Sequence, residues 1–293
     1  MSINYFKYLN KERIEVKAIN FWQALGLSFL FDIVVMFLNT PTDAFYMVLS
    51  NFGINTYSDF GYTISTLLSC IYQFGAILVI IVFINNKFVL QNEITNNFKI
   101  RKLDYLIGSL LIVSYILITY GWFDYILFSI PTGEMFESAM EYFDSLPMSI
   151  LLIESCVIAP IFEETLYRGI LLKGLINKYN SKKAIVYSAL IFGIVHLNMP
   201  QGINAFLLGL IIGTVFYYTR SIYICMIMHF ANNLLVNFVY YPTTEMWTNI
   251  LFISLPLIGI IMMITCFRIF NLKERCKQAK RYILNSDING YNQ

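Results

Sequence analysis

Charged residues are scarce in this chain. Of its 293 residues only 13% are Asp, Glu, Lys or Arg, whereas 58% are hydrophobic. Soluble domains carry about 25% charged residues, so this composition predicts an integral membrane protein whose surroundings are the lipid bilayer. The net charge of +2 is small and no basic stripe is interleaved with aromatic residues, which argues against nucleic acid as a partner.

Cysteine and histidine are also rare. The five cysteines are scattered without a CxxC pair, so we interpret them as small buried hydrophobic residues rather than as metal ligands or nucleophiles. The two histidines, His196 and His229, both fall within apolar segments. The first twenty residues are polar and charged and lead directly into an apolar run, so no cleavable signal peptide is expected.

Eight apolar segments approach or exceed the roughly 20 residues that a membrane-spanning helix needs. They lie near 21–39, 62–84, 104–129, 147–176, 184–197, 202–219, 222–240 and 249–270. The sequence therefore predicts an all-α fold, a polytopic membrane bundle of about eight transmembrane helices.

The distribution of Lys and Arg predicts the orientation of this bundle. If both termini are cytoplasmic, the loops on the cytoplasmic side and the adjoining helix ends hold all of the 20 basic residues except Arg168, which lies within the fourth segment. The loops on the opposite side, which hold none, are 40–61, 130–146, 198–201 and 241–248. Because Lys and Arg are enriched in cytoplasmic loops, we predict cytoplasmic N and C termini.

Ionisable residues inside apolar segments are costly and are functional candidates by default. In the fourth segment Glu163 lies about 14 residues, or roughly 21 Å of helix, before the lysine-rich turn at 177–183. By the same measure His196 and Asn233 lie roughly 18 Å, and His229 roughly 12 Å, from the cytoplasmic ends of their own helices. Four polar side chains from three helices are thus predicted to lie at a similar depth.

Helical spacing predicts which polar residues share a face, because residues four apart lie one above the other. The pairs with this spacing are Glu164 with Arg168, Phe192 with His196, and His229 with Asn233. Glu163 and Glu164 are about 100° apart around their helix. We therefore predict that Glu164 pairs with Arg168 and braces the helix, while Glu163 faces a pocket.

Two features predict irregular backbone near these residues. The fourth segment is too long for one straight span, so we predict that Pro160 kinks it or that its end projects into the cytosol. The fifth segment is short and is followed directly by "LNMPQG". Irregular backbone at membrane depth is tolerated where it lines a watered cavity.

Three motifs occur in order on three of these segments: "EETLYR" reads as EExxxR, "FGIVH" as FxxxH and "HFANN" as HxxxN. The set resembles the CAAX protease and bacteriocin-processing (CPBP, or Abi) family of intramembrane endopeptidases, which includes lysostaphin-resistance-type proteins. The resemblance covers about residues 147–240. It implies a membrane-embedded peptidase core.

Peptide hydrolysis needs an activated water, a stabilised oxyanion and a proton for the leaving amine. A carboxylate shielded from bulk water is a stronger base, so Glu163 is predicted to activate the water, with His196 sharing that water and relaying its proton. His229 and Asn233 are predicted to donate hydrogen bonds to the oxyanion, and the resemblance implies the same roles. The predicted supporting residues are Glu164, Arg168 and Phe192.

Zinc is the alternative to this metal-free chemistry. Glu163, His196 and His229 include ligand types that zinc accepts. The HExxH helix of zinc peptidases is absent, however, and the amide of Asn233 is a poor zinc ligand but a good oxyanion donor. We therefore favour no cofactor, with zinc as the open alternative.

The motifs also suggest a division of the chain. We predict an N-terminal three-helix membrane region at 1–146, a CAAX-protease-like catalytic core at 147–240, and a last transmembrane helix with a basic cytoplasmic tail at 241–293. Glu154 and Asp32 lie in spans but fit no motif. We predict that Glu154 adds polarity near the outer mouth and that Asp32 pairs with a neighbouring helix, neither being catalytic.

Three functions compete. The favoured one is an intramembrane peptidase that cleaves a membrane-associated peptide or protein, such as a bacteriocin leader, a precursor or a peptide pheromone. The others are a non-catalytic membrane scaffold, regulator or bacteriocin self-immunity protein on the same fold, and a transporter with a proton relay, which the lack of pseudo-symmetric halves disfavours. The Asn- and Ile-rich composition suggests an AT-rich bacterium, and hence a bacterial cell membrane.

Overall fold

The computed structural model describes residues 16–53, 58–85, 102–119, 146–237 and 253–270, with isolated positions between 123 and 141. All regular elements within these ranges are helical, so the all-α prediction is confirmed. The helices are α1 (Phe21–Asn51), α2 (Asp59–Asn85), α3 (Lys102–Thr119), α4 (148–176), α5 (Ser181–Ile194), α6 (Met199–Thr219), α7 (Ile222–Val236) and α8 (Ile253–Phe270). Each overlaps one of the predicted apolar segments.

Several of these helices are long and apolar enough to cross a bilayer. They are Phe21–Asn51, Phe60–Ile84, Lys102–Thr119, Met199–Thr219 and Ile253–Phe270. The prediction of a membrane protein is confirmed. The total number of spans, the orientation and the division at residues 146 and 240 stay predictions, and much of the predicted loops and the basic tail lies outside the described residues.

The first helix differs from its prediction in length. The apolar segment ends near residue 39, but α1 continues through Pro41 to Asn51. Hydropathy predicts which part of a helix lies in the hydrocarbon core of the bilayer. The helix itself ends where its backbone hydrogen bonds end, which can be several turns further along the chain. At the other end, Asn20 forms a capping box with Gln23, which fixes where α1 begins.

Helix α4 is not a uniform α-helix. Its α-helical segment Ala159–Glu164 lies between two π segments, Ile153–Ile158 and Thr165–Leu172. The sequence-based prediction offered only a proline kink or a projecting end for this long segment. Short π segments inside α-helices occur frequently at functional sites, and here they bracket the two adjacent glutamates.

The described helices form two compact units. The first contains α1, α2 and α4–α7, and the second contains α3 and α8. In the second, a Cβ at Gly259 would lie 2.7 Å from the Ser114 carbonyl oxygen, so α8 can approach α3 closely only because residue 259 lacks a side chain. All of the predicted site residues lie in the first unit.

Within the first unit, short connections join α4 to α5, α5 to α6 and α6 to α7. The side chains of Asn180, Asn198 and Ser221 cap the starts of α5, α6 and α7. A Cβ at Gly193 of α5 would lie 2.6 Å from the Gly202 carbonyl oxygen of α6. Because of this close approach, α5 and α6 form a tight hairpin, and the depth at which the chain turns after α5 is fixed.

Helix α1 and the residues just before it attach to α4 through polar contacts. The hydroxyls of Ser28 and Tyr167 share a buried hydrogen bond of 2.6 Å, and the Ile19 amide donates to the Gly174 carbonyl at 3.1 Å. These contacts therefore fix the position of α4, the helix that carries Glu163 and Glu164.

Candidate active site

Helix α4 presents Glu163 and Glu164 in different environments. The Glu164 side chain is completely buried, whereas that of Glu163 is 31% exposed. This agrees with the offset of about 100° between adjacent residues of an ideal α-helix. One carboxylate is therefore part of the protein interior, and the other reaches accessible space.

Glu164 binds two cationic or polar partners through one oxygen. Its Oε1 accepts a hydrogen bond from Arg168 Nη1 at 2.9 Å and one from His229 Nδ1 at 2.8 Å. The predicted contact with Arg168 is observed. The contact with His229, which joins α7 to α4, was missed because the motif spacing relates residues on one helix and not across helices.

The contact with Glu164 fixes the orientation of His229. Glu164 forms an ion pair with Arg168, and because the oxygens of an ion-paired carboxylate accept hydrogen bonds, Nδ1 of His229 is the donor in this contact. The second nitrogen, Nε2, then lies 3.9 Å from Glu163 Oε2. That distance is too long for a direct hydrogen bond, but a water beside the two atoms can contact both.

Phe192 packs against most of this cluster. Its buried ring centroid lies 4.8 Å from the Arg168 guanidinium carbon, 5.0 Å from the His196 ring and 5.9 Å from the His229 ring. The guanidinium over the ring is a cation–π contact. One aromatic side chain of α5 thus contacts groups from α4 and α7 and the second histidine.

His196 lies just beyond α5, which ends at Ile194. Its Nδ1 is 2.7 Å from the Phe192 carbonyl oxygen, and because a carbonyl only accepts, Nδ1 donates. The free nitrogen of this partly exposed ring is therefore Nε2. The following residue, Leu197, has a φ of 53°, so the backbone turns sharply here, as the irregular segment after α5 led us to expect.

Asn233 makes a contact that the motif did not predict. Its Nδ2 donates to the backbone carbonyl of Ser155 at 2.7 Å, in the first π segment of α4, and its Oδ1 accepts from Asn232 Nδ2 at 3.1 Å. The structure thus brings Glu163 and His229 together, places His196 against the shared Phe192 ring, and directs the Asn233 amide to α4 backbone.

The two acidic residues outside the motifs also have identifiable surroundings. Glu154 accepts a hydrogen bond of 2.6 Å from Thr66 of α2, so it links two helices. Asp32 of α1 lies within electrostatic range of Glu163. No sequence motif predicts this proximity, because it depends on how α1 packs beside α4.

The zinc alternative can be compared with the donor set. Across the described ranges, no three side chains of His, Cys, Asp or Glu form a metal-ligand group. Nδ1 of His229 bonds to Glu164 and Nδ1 of His196 to a backbone carbonyl, and such bonds also orient histidines that bind zinc through Nε2, so they do not separate the two chemistries. Among the described residues Glu163, His196 and His229 do not form a group of three ligands, and we derive no step through a metal.

The fold and these contacts define a class: a helical membrane protein with a carboxylate–histidine centre at the junction of α4, α5 and α7. Residues 145–235 match the Rce1-like family model, described as type II CAAX prenyl endopeptidase Rce1-like. This region, which contains all three motifs, is thus an Rce1-like domain, and the predicted resemblance to the CAAX protease family is confirmed. No curated protein matches the chain. The family is one of membrane-embedded proteases of the CAAX endopeptidase type.

Proposed function

We propose that this protein is an intramembrane peptidase that hydrolyses a peptide bond in a membrane-associated peptide or protein, with Glu163 as the general base. The observation that carries the proposal is the 3.9 Å separation between Glu163 Oε2 and His229 Nε2. It places an accessible carboxylate beside an imidazole whose orientation is fixed by Glu164.

Glu163 accepts a proton from the attacking water, and the resulting hydroxide adds to the scissile carbonyl carbon. The proton then passes to the leaving amine, and His196 relays it through Nε2, the nitrogen left free by the bond to Phe192. Peptide hydrolysis consumes one water and forms one carboxyl and one amine, so no further reactant is needed.

His229 stabilises the oxyanion as an imidazolium. Because Nδ1–H already donates to Glu164, Nε2 can donate only when both ring nitrogens carry hydrogen. The cluster around His229 contains two carboxylates, Glu163 and Glu164, and one guanidinium, Arg168. A positive His229 makes this poorly hydrated group of four neutral, which lowers the cost of burying it.

The substrate is proposed from the membrane location alone: a peptide or protein that reaches the bilayer, with bacteriocin leaders, precursors and peptide pheromones as candidates to test. The bacterial origin belongs to the same proposal. Asn233 can donate a hydrogen bond to the oxyanion, as His229 does, only if its amide first leaves the Ser155 carbonyl.

The test is cleavage of candidate leader peptides by the purified protein in detergent. We expect Glu163→Gln to lower the cleavage rate at least about a hundredfold, since general acid–base groups contribute that much or more, while the melting temperature stays near that of the wild type. Glu141→Gln, the same change at an exposed position, serves as the matched control.

Two results would contradict the proposal. Cleavage by Glu163→Gln at the wild-type rate would remove Glu163 from the mechanism. Full biological activity of a Glu163→Ala, His196→Ala double variant would favour the scaffold or immunity role. A parallel assay with a chelator addresses zinc: cleavage that is lost and then restored by added zinc would favour the metal alternative.

A further inference from the structure

The hydrogen bonding of α4 is interrupted next to its glutamates. In the first π segment the bonding changes to N–H groups that reach five residues back, and the Ala159 N–H donates to the Glu154 carbonyl in this way. The next bond of this pattern would run from residue 160 to the Ser155 carbonyl. Residue 160 is proline, which has no N–H to donate.

Asn233 supplies the missing donor from another helix. Its Nδ2 lies 2.7 Å from the Ser155 carbonyl oxygen. A backbone carbonyl without a donor is costly at membrane depth. We propose that Asn233 is a positioning residue whose amide replaces the N–H that Pro160 lacks and thereby fixes α7 against α4.

A neighbouring side chain sets the direction of this amide. Asn232 Nδ2 donates to Asn233 Oδ1 at 3.1 Å. With Oδ1 engaged in this way, the NH₂ group and not the carbonyl of Asn233 faces the Ser155 oxygen, which can only accept. Two adjacent asparagines therefore act together, the first orienting the second.

The contact bears on the site through His229. Asn233 and His229 lie one turn apart on α7, and both bond to α4, His229 through Glu164 and Asn233 through Ser155. Two attachment points prevent α7 from rotating about its axis. Without the second, His229 Nε2 would no longer be held beside Glu163 Oε2. This consequence for catalysis rests on the proposed peptidase function, whereas the bond itself does not.

A double-mutant cycle tests the replacement without any substrate. Pro160→Ala restores a backbone N–H at residue 160, so Ser155 no longer depends on α7. We expect Asn233→Ala to lower the melting temperature by about 2–4 °C in the wild-type background, the size expected for one hydrogen bond. In the Pro160→Ala background the same change should lower it by less than half as much. Equal losses in both backgrounds, or no loss in either, would overturn the proposal.

The activity of the same four proteins separates positioning from direct catalysis. If Asn233 positions α7, Asn233→Ala lowers kcat roughly tenfold to a hundredfold through misplacement of His229, and Pro160→Ala recovers most of this loss. If the amide instead binds the oxyanion, the loss of kcat is the same in both backgrounds and the positioning role is wrong. If the wild type cleaves no candidate peptide, the peptidase proposal fails while the melting temperatures still decide this one.

Matched controls exist on the same chain. Asn237→Ala removes an exposed asparagine of the same region, whose Nδ2 donates to the backbone carbonyl of Asn233. Pro41→Ala removes a proline inside α1. The effect of Asn237→Ala on the melting temperature should not depend on Pro160→Ala, and the effect of Asn233→Ala should not depend on Pro41→Ala. If Asn233→Ala fails to accumulate, accumulation becomes the readout: recovery by Pro160→Ala supports the proposal, and equal failure overturns it.

Discussion

The two π segments of α4 flank the same pair of glutamates but are stabilised differently. In the first, Ile153–Ile158, only Cys156 is buried, and the polar groups of Glu154 and Ser155 bond to side chains of α2 and α7. In the second, Thr165–Leu172, all eight residues are buried. The helix is thus attached by partly buried hydrogen bonds on one side of Glu163, and by buried charge, buried hydrogen bonds and packing on the other.

The difference has an energetic meaning. The hydrogen bonds of the first segment are only partly buried, so losing one costs about as much as a single hydrogen bond, whereas the fully buried groups of the second segment include an ion pair whose loss costs more. We infer that substitutions in or against the second segment disturb the fold most, and that substitutions against the first mainly adjust the geometry of the site. The predictions below test this ranking.

The largest effect is expected at Arg168, which is 1% exposed. Arg168→Ala leaves the buried Glu164 carboxylate without its guanidinium, and breaking a buried ion pair in this way costs about 3–5 kcal/mol. We expect a strongly lowered melting temperature in detergent, or little accumulated protein, together with lost cleavage. Arg168→Lys should be intermediate, because it keeps the charge but not the planar group over Phe192.

The control for this prediction is Arg268→Ala, the same change at an exposed position of α8. It should leave the melting temperature almost unchanged. An Arg168→Ala protein that melts at the wild-type temperature would show that the ion pair adds nothing to stability, and the contrast between the two segments would then be wrong.

A smaller effect is expected at the bond between Tyr167 and Ser28, both buried. Tyr167→Phe and Ser28→Ala each remove one hydroxyl and leave the other without its partner, which costs about 1–3 kcal/mol. The double variant should cost less than the two single changes added together, because it leaves no unpaired hydroxyl. Urea or thermal unfolding in detergent measures these differences.

Tyr217→Phe is the matched control, since it removes a hydroxyl and keeps the ring contacts with Tyr218 and Arg220. Strictly additive losses at Tyr167 and Ser28 would mean that the two hydroxyls do not stabilise each other. In that case α1 is held on the second segment by packing alone.

The sequence predicted those parts of the site that depend on spacing along one helix. Glu164 and Arg168 meet because they are four residues apart, and Phe192 contacts His196 for the same reason. The helical membrane fold and the family followed from composition and from three ordered motifs. These features need only helical periodicity and hydropathy, both of which are local properties of the chain.

The missed features depend on relations between helices or on backbone atoms. The bond between Glu164 and His229 requires a particular rotation of α7, and a helix that is apolar on most sides gives no pattern that fixes its rotation. A motif describes side-chain types, so it cannot predict that a side chain bonds to the backbone carbonyl of Ser155. The π segments were missed because we assumed a uniform period of 3.6 residues throughout α4, and Pro160 was interpreted as a kink and not as an absent donor.

The smallest effect is expected at Thr66, which donates to Glu154 in the first π segment. Thr66→Val keeps the shape of the side chain and removes the donor, a neutral hydroxyl, from a contact that is only partly buried. We expect a loss of about 0.5–1 kcal/mol, with kcat changed less than by Asn233→Ala. Thr40→Val, which removes a hydroxyl bonded only to its own helix at the exposed Met36 carbonyl, is the control. If Thr66→Val cost as much as Arg168→Ala, the first segment would be as sensitive as the second, and burial would not explain how α4 is stabilised around Glu163.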